Sequence, residues 1–149
     1  MAHILFVCTG NTCRSPLAEA LLLAKAKGKT DIKAKSAGLF TTDGMPASQG
    51  TIEVLREREL ELNHTSSTLT KELVHWADVV LTMTKNHLEM TAQQFPEAAD
   101  KMFTIKEFAL DSPDGDVMDP FGGTVDTYRA TAHELEQLID AVLEKIHYL

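Results

Sequence analysis

The stretch Val7-Cys8-Thr9-Gly10-Asn11-Thr12-Cys13-Arg14-Ser15-Pro16 sets a sulfur nucleophile, a permanent cation and a hydroxyl close together along the chain. A loop curled at the N-terminus of a helix turns several backbone N–H groups inward, and with the helix dipole these make an anion site. Arg14 adds a planar fork able to hold two oxygens of a phosphoryl group. At the base of such a cradle Cys8 is expected to carry its sulfur as the thiolate, favoured by the amides, the dipole and the Ser15 hydroxyl. A thiolate attacks phosphorus in line and forms a phosphocysteine, which splits one difficult step into two. Neither a metal nor a cofactor is needed. The loop has neither the Gly-Lys-Ser/Thr of a nucleotide-binding P-loop nor the G-x-G-x-x-G of a dinucleotide site.

The departing group needs a proton, and the cradle offers only cations and weak acids. Residues 109–124, ALDSPDGDVMDPFGGT, hold Asp111, Asp114, Asp116 and Asp119. Only Asp119 precedes a proline. Pro120 stiffens its backbone, and Gly122-Gly123 permit close approach or motion of the loop. Asp119 is therefore the expected general acid, and after departure the base that takes a proton from the water attacking phosphocysteine. The other three aspartates are expected to be turn residues.

The elements that must position these groups follow from pattern. Residues 3–7, HILFV, are a short apolar run closed by the glycine-containing turn, which reads as a buried strand. Ser15 as N-cap and Pro16 in the first turn open a helix that Gly28 stops. Further strands are predicted at 32–38, 78–83 and 101–105, and helices at 48–59, 70–77 and 85–95. Residues 109–124 can hardly be regular. In the last helix Val125, Tyr128, Ala132, Leu135, Leu138, Ile139, Val142, Leu143 and Ile146 recur at spacings of three and four, so one face is buried. Alternating strands and helices imply an α/β fold. The expected form is a single-domain three-layer sandwich, a four-stranded parallel sheet with helices on both faces. Sites in such sheets lie at the carboxyl ends of strands, where the cysteine loop falls.

Composition sets the outer bounds. The 149 residues, 44% hydrophobic and 24% charged, suit one soluble domain spanning 1–149. A formal charge of -8 argues against a general nucleic-acid surface, so an anionic substrate needs a local positive site. No apolar run approaches the roughly 18–20 residues of a membrane span, and the start MAHILFVCTG lacks a signal peptide's features, so a cytoplasmic location is expected. Cys8 and Cys13 lack the ligand set of a structural zinc site, and the six histidines are scattered without metal spacing. His3, His75, His87, His133 and His147 are expected at the surface or its boundary, and Trp76 in the core or at its rim. Glu53, Glu57, Glu59 and Glu61 read as one solvated helix face.

CTGNTCRSP, the SAG that ends the second strand and the late DPFGG together resemble the low-molecular-weight protein tyrosine phosphatases, over nearly the whole chain from His3. Within that family CTGNTCRS is most similar to the branch acting on phosphoarginine in proteins. The resemblance implies that Cys8 is the nucleophile, Arg14 the phosphate clamp and Asp119 the general acid and base. Thr9, Gly10, Asn11, Thr12, Cys13, Arg14, Ser15 and Phe121 surround the substrate. It further implies that Asn11 holds the loop in a left-handed turn, supported by Ser15, Ser36 and His64, and that the enzyme works as a monomer on phosphorylated proteins. Cys13 is either a packed loop residue or, as in related phosphatases, the partner of an oxidised Cys8 in a reversible disulfide.

Tyrosine-specific members carry an aliphatic residue at the position of Thr12 and a hydroxylated aromatic pair after the DP, where this chain has Phe121-Gly122. Phosphoarginine leaves through a guanidinium nitrogen, which Asp119 can protonate and, as carboxylate, face. Thr12 would narrow the pocket floor and bring its hydroxyl near phosphorus. Phosphotyrosine hydrolysis is the main alternative. Arsenate reduction on this scaffold needs further cysteines, and none follows Cys13. A cysteine phosphocarrier needs neither an arginine clamp nor a separate acid.

Overall fold

The computed structural model describes residues 2–28, 31–61, 63–112 and 115–146; the expectations for Asp114 and His147 lie outside these. Four strands, β1 (Ala2–Cys8), β2 (Ile32–Gly38), β3 (Val79–Thr82) and β4 (Met102–Thr104), pair in parallel in the order β2-β1-β3-β4. Helices α1 (Arg14–Lys25), α2 (Gln49–Glu57), α3 (Lys71–Trp76), α4 (Lys85–Gln94), α5 (Ile105–Leu110) and α6 (Val125–Ile146) connect and cover them. The α/β sandwich expected from the strand and helix alternation is the fold observed.

The period of two in β1 sorts the core. Ile4, Phe6 and Cys8 pack with Leu17 of α1, Ile105 and Phe108 of α5, and Leu135 and Ile139 of α6. Leu5 and Val7 face the opposite way, against Val74 of α3 and Phe95 just beyond α4. Because both faces of β1 are covered, Ile4 to Val7 are fully buried, which is why HILFV is apolar at every position after His3. The chain leaves β1 for β2 on one side and then places β3 on the other. That reversal opens a crevice at the carboxyl ends of β1 and β3.

Helix starts are set by hydroxyl caps. Ser48, Thr70, Thr84 and Thr104 accept the N–H of Thr51, Leu73, His87 and Glu107 respectively, each worth about 1 kcal/mol. Helix α1 departs from this pattern. It starts two residues earlier than predicted, with Cys13 rather than Ser15 at the N-cap and no side-chain cap. Ser15 is therefore not the cap; it is a helical residue whose hydroxyl turns to Cys8.

The fourth strand is also shorter than predicted. Lys101 ends a 3-10 turn, Pro96–Lys101, and Ile105 opens α5, which the sequence reading did not anticipate. Thr104 and Glu107 stand in the spacing of a capping box, and this local signal prevails over the apolar run. The irregular segment accordingly begins at Asp111, which takes the left-handed conformation with φ 55°. Nor do the four glutamates form one helix face. Glu59 and Glu61 lie beyond α2, and Glu57 ties α2 to α6 through Arg129 at 2.6 Å.

Helix α2 meets α6 at Gly50, where a Cβ atom would overlap the buried ring of Tyr128. Gly50→Ala is expected to cost about 1–3 kcal/mol through this overlap. Urea unfolding would register it as a lowered midpoint with an unchanged slope.

Candidate active site

The loop from Cys8 to Ser15 is held by its carbonyl groups. Cys8 O accepts from Leu39 N (3.0 Å), Thr9 O from Phe40 N (2.9 Å), Thr12 O from Ser48 N (2.9 Å) and Cys13 O from Leu17 N (3.2 Å). Asn11 O accepts from His64 Nε2 at 2.6 Å. Carbonyls drawn outward in succession turn the same peptide planes so that N–H groups face the opposite way, into the concavity above α1. This builds the anion cradle out of backbone.

Asn11 is the knot of the loop. It is fully buried with φ 55°, a left-handed conformation that Asn tolerates better than most residues. Its Nδ2 donates to Ser15 Oγ (2.8 Å), and its Oδ1 accepts from Ser67 N (2.8 Å). Because Ser15 Oγ already accepts from Asn11, its own proton is free to point at Cys8 Sγ, 2.9 Å away. A hydroxyl so oriented supports negative charge on the sulfur. Gly38, the glycine of SAG, makes room for this arrangement: a Cβ there would meet Thr9 O at 2.8 Å and Asn11 Cβ at 3.1 Å.

Arg14 is 4% exposed, and one of its terminal nitrogens donates to Val117 O at 2.8 Å. The other lies 3.7 Å from Asp119 Oδ2, while Nε is buried without a partner among the described residues. Burying an unpaired guanidinium donor is costly, so this N–H is suited to hold an anionic group. Asp119 is half exposed, with Oδ1 accepting from Phe121 N at 3.0 Å. Phe121 itself is 73% exposed, at the rim of the site. The Asp119 loop is anchored at the end of β3, where Val117 N donates to Met83 O and Lys85 N to Asp116 Oδ1, both at 2.9 Å. Asp116 therefore serves as an anchor of this loop.

The two cysteines have different surroundings, and both are free thiols. Cys13 Sγ donates to Ser48 Oγ at 3.3 Å and lies 3.5 Å from the Tyr128 hydroxyl. Burial pushes the Tyr128 phenol up from its usual range, and its bond to Cys13 adds to this. Thr12 is partly exposed, with Oγ1 3.8 Å from Cys13 Sγ and 3.6 Å from where a side chain on Gly10 would begin. Among the described residues there is no cluster of three metal-ligating side chains.

His64 lies against the loop, bonded to Asn11 O, whereas the Ser36 hydroxyl is engaged elsewhere. It donates to Glu19 Oε1 of α1 at 2.6 Å. Burial raises the Glu19 carboxyl above its ordinary range, opposed by the Ser36 bond and by His64. The residue that sequence reading missed is His87. Expected near the surface, it is 6% exposed and its Nε2 lies 2.8 Å from Thr9 Oγ1. The signal was Thr84, whose cap fixes position 87 in the first turn of α4, beside the end of β3 and hence beside the cradle.

A carboxyl raised on folding disfavours the folded state as it ionises. Its contribution to stability is full below the unfolded carboxyl range and is lost as pH rises through the folded value. Glu19→Gln keeps the acceptor for Ser36 and removes the charge. Its stability relative to the parent should therefore increase from pH 4 to pH 8, measured as the difference between urea midpoints.

The same architecture recurs in known proteins. The chain is 51% identical to the protein-arginine-phosphatase of Geobacillus stearothermophilus over 97% of this chain and 95% of that protein. It is 46% identical to that of Bacillus subtilis (strain 168), over 96% and 95%. A solved structure of the YwlE arginine phosphatase, a cysteine-to-serine mutant with a phosphorylated active-site serine, superposes with a TM-score of 0.94 at 44% identity. It covers 97% of this chain and 95% of its own. The family pattern of the low molecular weight phosphotyrosine protein phosphatases matches residues 3–148. That span takes in all of the sheet but Ala2, the cysteine loop and the helix that closes the fold, and the chain belongs to this family.

Proposed function

We propose that the protein hydrolyses phosphoarginine in proteins through a phosphocysteine intermediate. The Cys8 thiolate attacks phosphorus in line while the P–N bond breaks. The bonding pair goes to the guanidinium nitrogen, which Asp119 protonates. Asp119, now a carboxylate, takes a proton from water. The resulting hydroxide attacks phosphorus, the S–P bond breaks, and inorganic phosphate leaves with the Cys8 thiolate restored.

The cradle amides and Arg14 hold the phosphoryl oxygens as charge develops, and the unpaired Arg14 Nε supports this assignment. Ser15 stabilises the sulfur both as nucleophile and as leaving group, and Asn11 and His64 keep the loop in shape. No helix among the described residues is long and apolar enough to cross a membrane. The enzyme we envisage works as a cytoplasmic monomer on phosphorylated proteins. For Cys13 to resolve an oxidised Cys8, its sulfur must first leave Ser48 and Tyr128.

The observation that carries the choice of phosphoarginine is Thr12. A hydroxyl here offers a polar contact to a polar leaving group, where an aliphatic side chain would favour a phenyl ring. The relatives named protein-arginine-phosphatase support the same choice. Phe121 in its exposed position leaves the rim beside Asp119 without a phenolic wall.

Turnover of phosphoarginine, phosphotyrosine and phosphoserine peptides measured side by side tests the substrate class, and phosphotyrosine as the best substrate would overturn it. Thr12→Ile should shift preference toward phosphotyrosine by roughly tenfold or more; an unchanged ratio removes Thr12 as the filter. Cys8→Ser should abolish turnover. Asp119→Asn should lower kcat by about 10²- to 10⁴-fold, and a mild effect would exclude it as the acid.

A further inference from the structure

His87 is buried, and its imidazole is directed at the hydroxyl of a residue that is itself exposed, Thr9. An exposed hydroxyl can be satisfied by water, so Thr9 does not need this partner for its own solvation. Placing a polar ring in the interior to reach it makes physical sense if the orientation of the hydroxyl matters. The ring is fixed from its own backbone. His87 N donates to Thr84 Oγ1 at 3.1 Å, and His87 O accepts from Thr91 Oγ1 at 2.7 Å.

The direction of the bond follows from the other ring nitrogen. Nδ1 is buried and has no partner among the described residues. A proton on Nδ1 would be an orphaned buried N–H, which folded proteins avoid more strictly than an unpaired acceptor. The proton therefore belongs on Nε2, and Nε2–H donates to Thr9 Oγ1. The Thr9 hydroxyl proton is then not committed to His87, and it sits on the first residue after the nucleophile.

The charges around the ring act in both senses. Burial and then Arg14 disfavour the imidazolium, while Asp116 and Asp119 favour it. The balance holds His87 at about 4, neutral at physiological pH.

We propose that His87 is a positioning residue: its neutral imidazole donates Nε2–H to Thr9 Oγ1 and so presents the Thr9 hydroxyl proton to a phosphoryl oxygen seated in the cradle. The assignment rests on reading residues 8–15 as a phosphate cradle. It is independent of whether the leaving group is arginine or tyrosine.

The test is a double-mutant cycle with Thr9→Val and His87→Leu, reading kcat/KM on phosphoarginine and para-nitrophenyl phosphate, and competitive inhibition by inorganic phosphate. Each single variant should lose roughly 5- to 10-fold in kcat/KM on both substrates. Phosphate inhibition should weaken in parallel, and the double variant should be no worse than the poorer single one. His87→Gln, which returns an N–H near the Nε2 position, should recover most of the loss.

Additive losses, or a Gln variant as poor as Leu at equal thermal stability, would overturn the proposal. So would 15N imidazole shifts of the intact enzyme showing the proton on Nδ1 at neutral pH. If His87→Leu does not fold, Thr9→Val at the surface still decides: undiminished turnover and phosphate inhibition would refute the role of its hydroxyl. Failure of the cradle reading is distinguishable, because the parent enzyme would then show neither turnover nor phosphate inhibition.

Discussion

The structure turns on one residue held in an unfavourable backbone conformation. Asn11 lies in the left-handed region at a cost of order 1 kcal/mol. Its bonds to Ser15, Ser67 and His64 outweigh that cost. With Asn11 so fixed, the Ser15 hydroxyl has one direction left for its proton, toward Cys8. The same fixation ties down the loop's carbonyls, so the shape of the proposed cradle is set by the fold itself. A site that need not reorganise when charge develops is the main electrostatic resource of an enzyme.

The supports come from distant parts of the chain. The residues leaving β2 bind the carbonyls of Cys8 and Thr9, the N-cap of α2 binds that of Thr12, and His64 and Ser67 bind Asn11. The Asp119 loop is tied separately, to Met83 and Lys85 just beyond β3 and to Arg14 through Val117. Arg14 thus contributes both to the cradle and to the placement of Asp119. The crevice between β1 and β3 is where the two assemblies meet, as expected where strand order reverses.

What was legible in the sequence shares a physical character. HILFV reads as a buried strand because both of its faces are covered. The period of α6 reads as a helix because a single face is covered. Cys8, Arg14 and Asp119 stand out as candidates because few residue types can serve as nucleophile, clamp and acid. Helix α5 is hard to read because Ile105, its first residue, also completes the apolar run 101–105, and only the Thr104–Glu107 spacing marks its start. Ser15 was misread as a cap because a serine before a proline carries that signal whether or not its hydroxyl has another partner.

Local sequence by itself determined the alternation of strands and helices, the position of the cysteine loop at a strand end, and the chemistry its side chains can perform. These depend on periodicity and functional-group type, which are properties of short stretches. Only the tertiary structure decided which hydroxyls and histidines serve the loop: Ser36 turns to Glu19, His64 to Asn11 and His87 to Thr9. Those assignments join residues 17, 53 and 78 positions apart. A hydrogen bond over such separations is set by how layers pack, and no spacing along the chain encodes it.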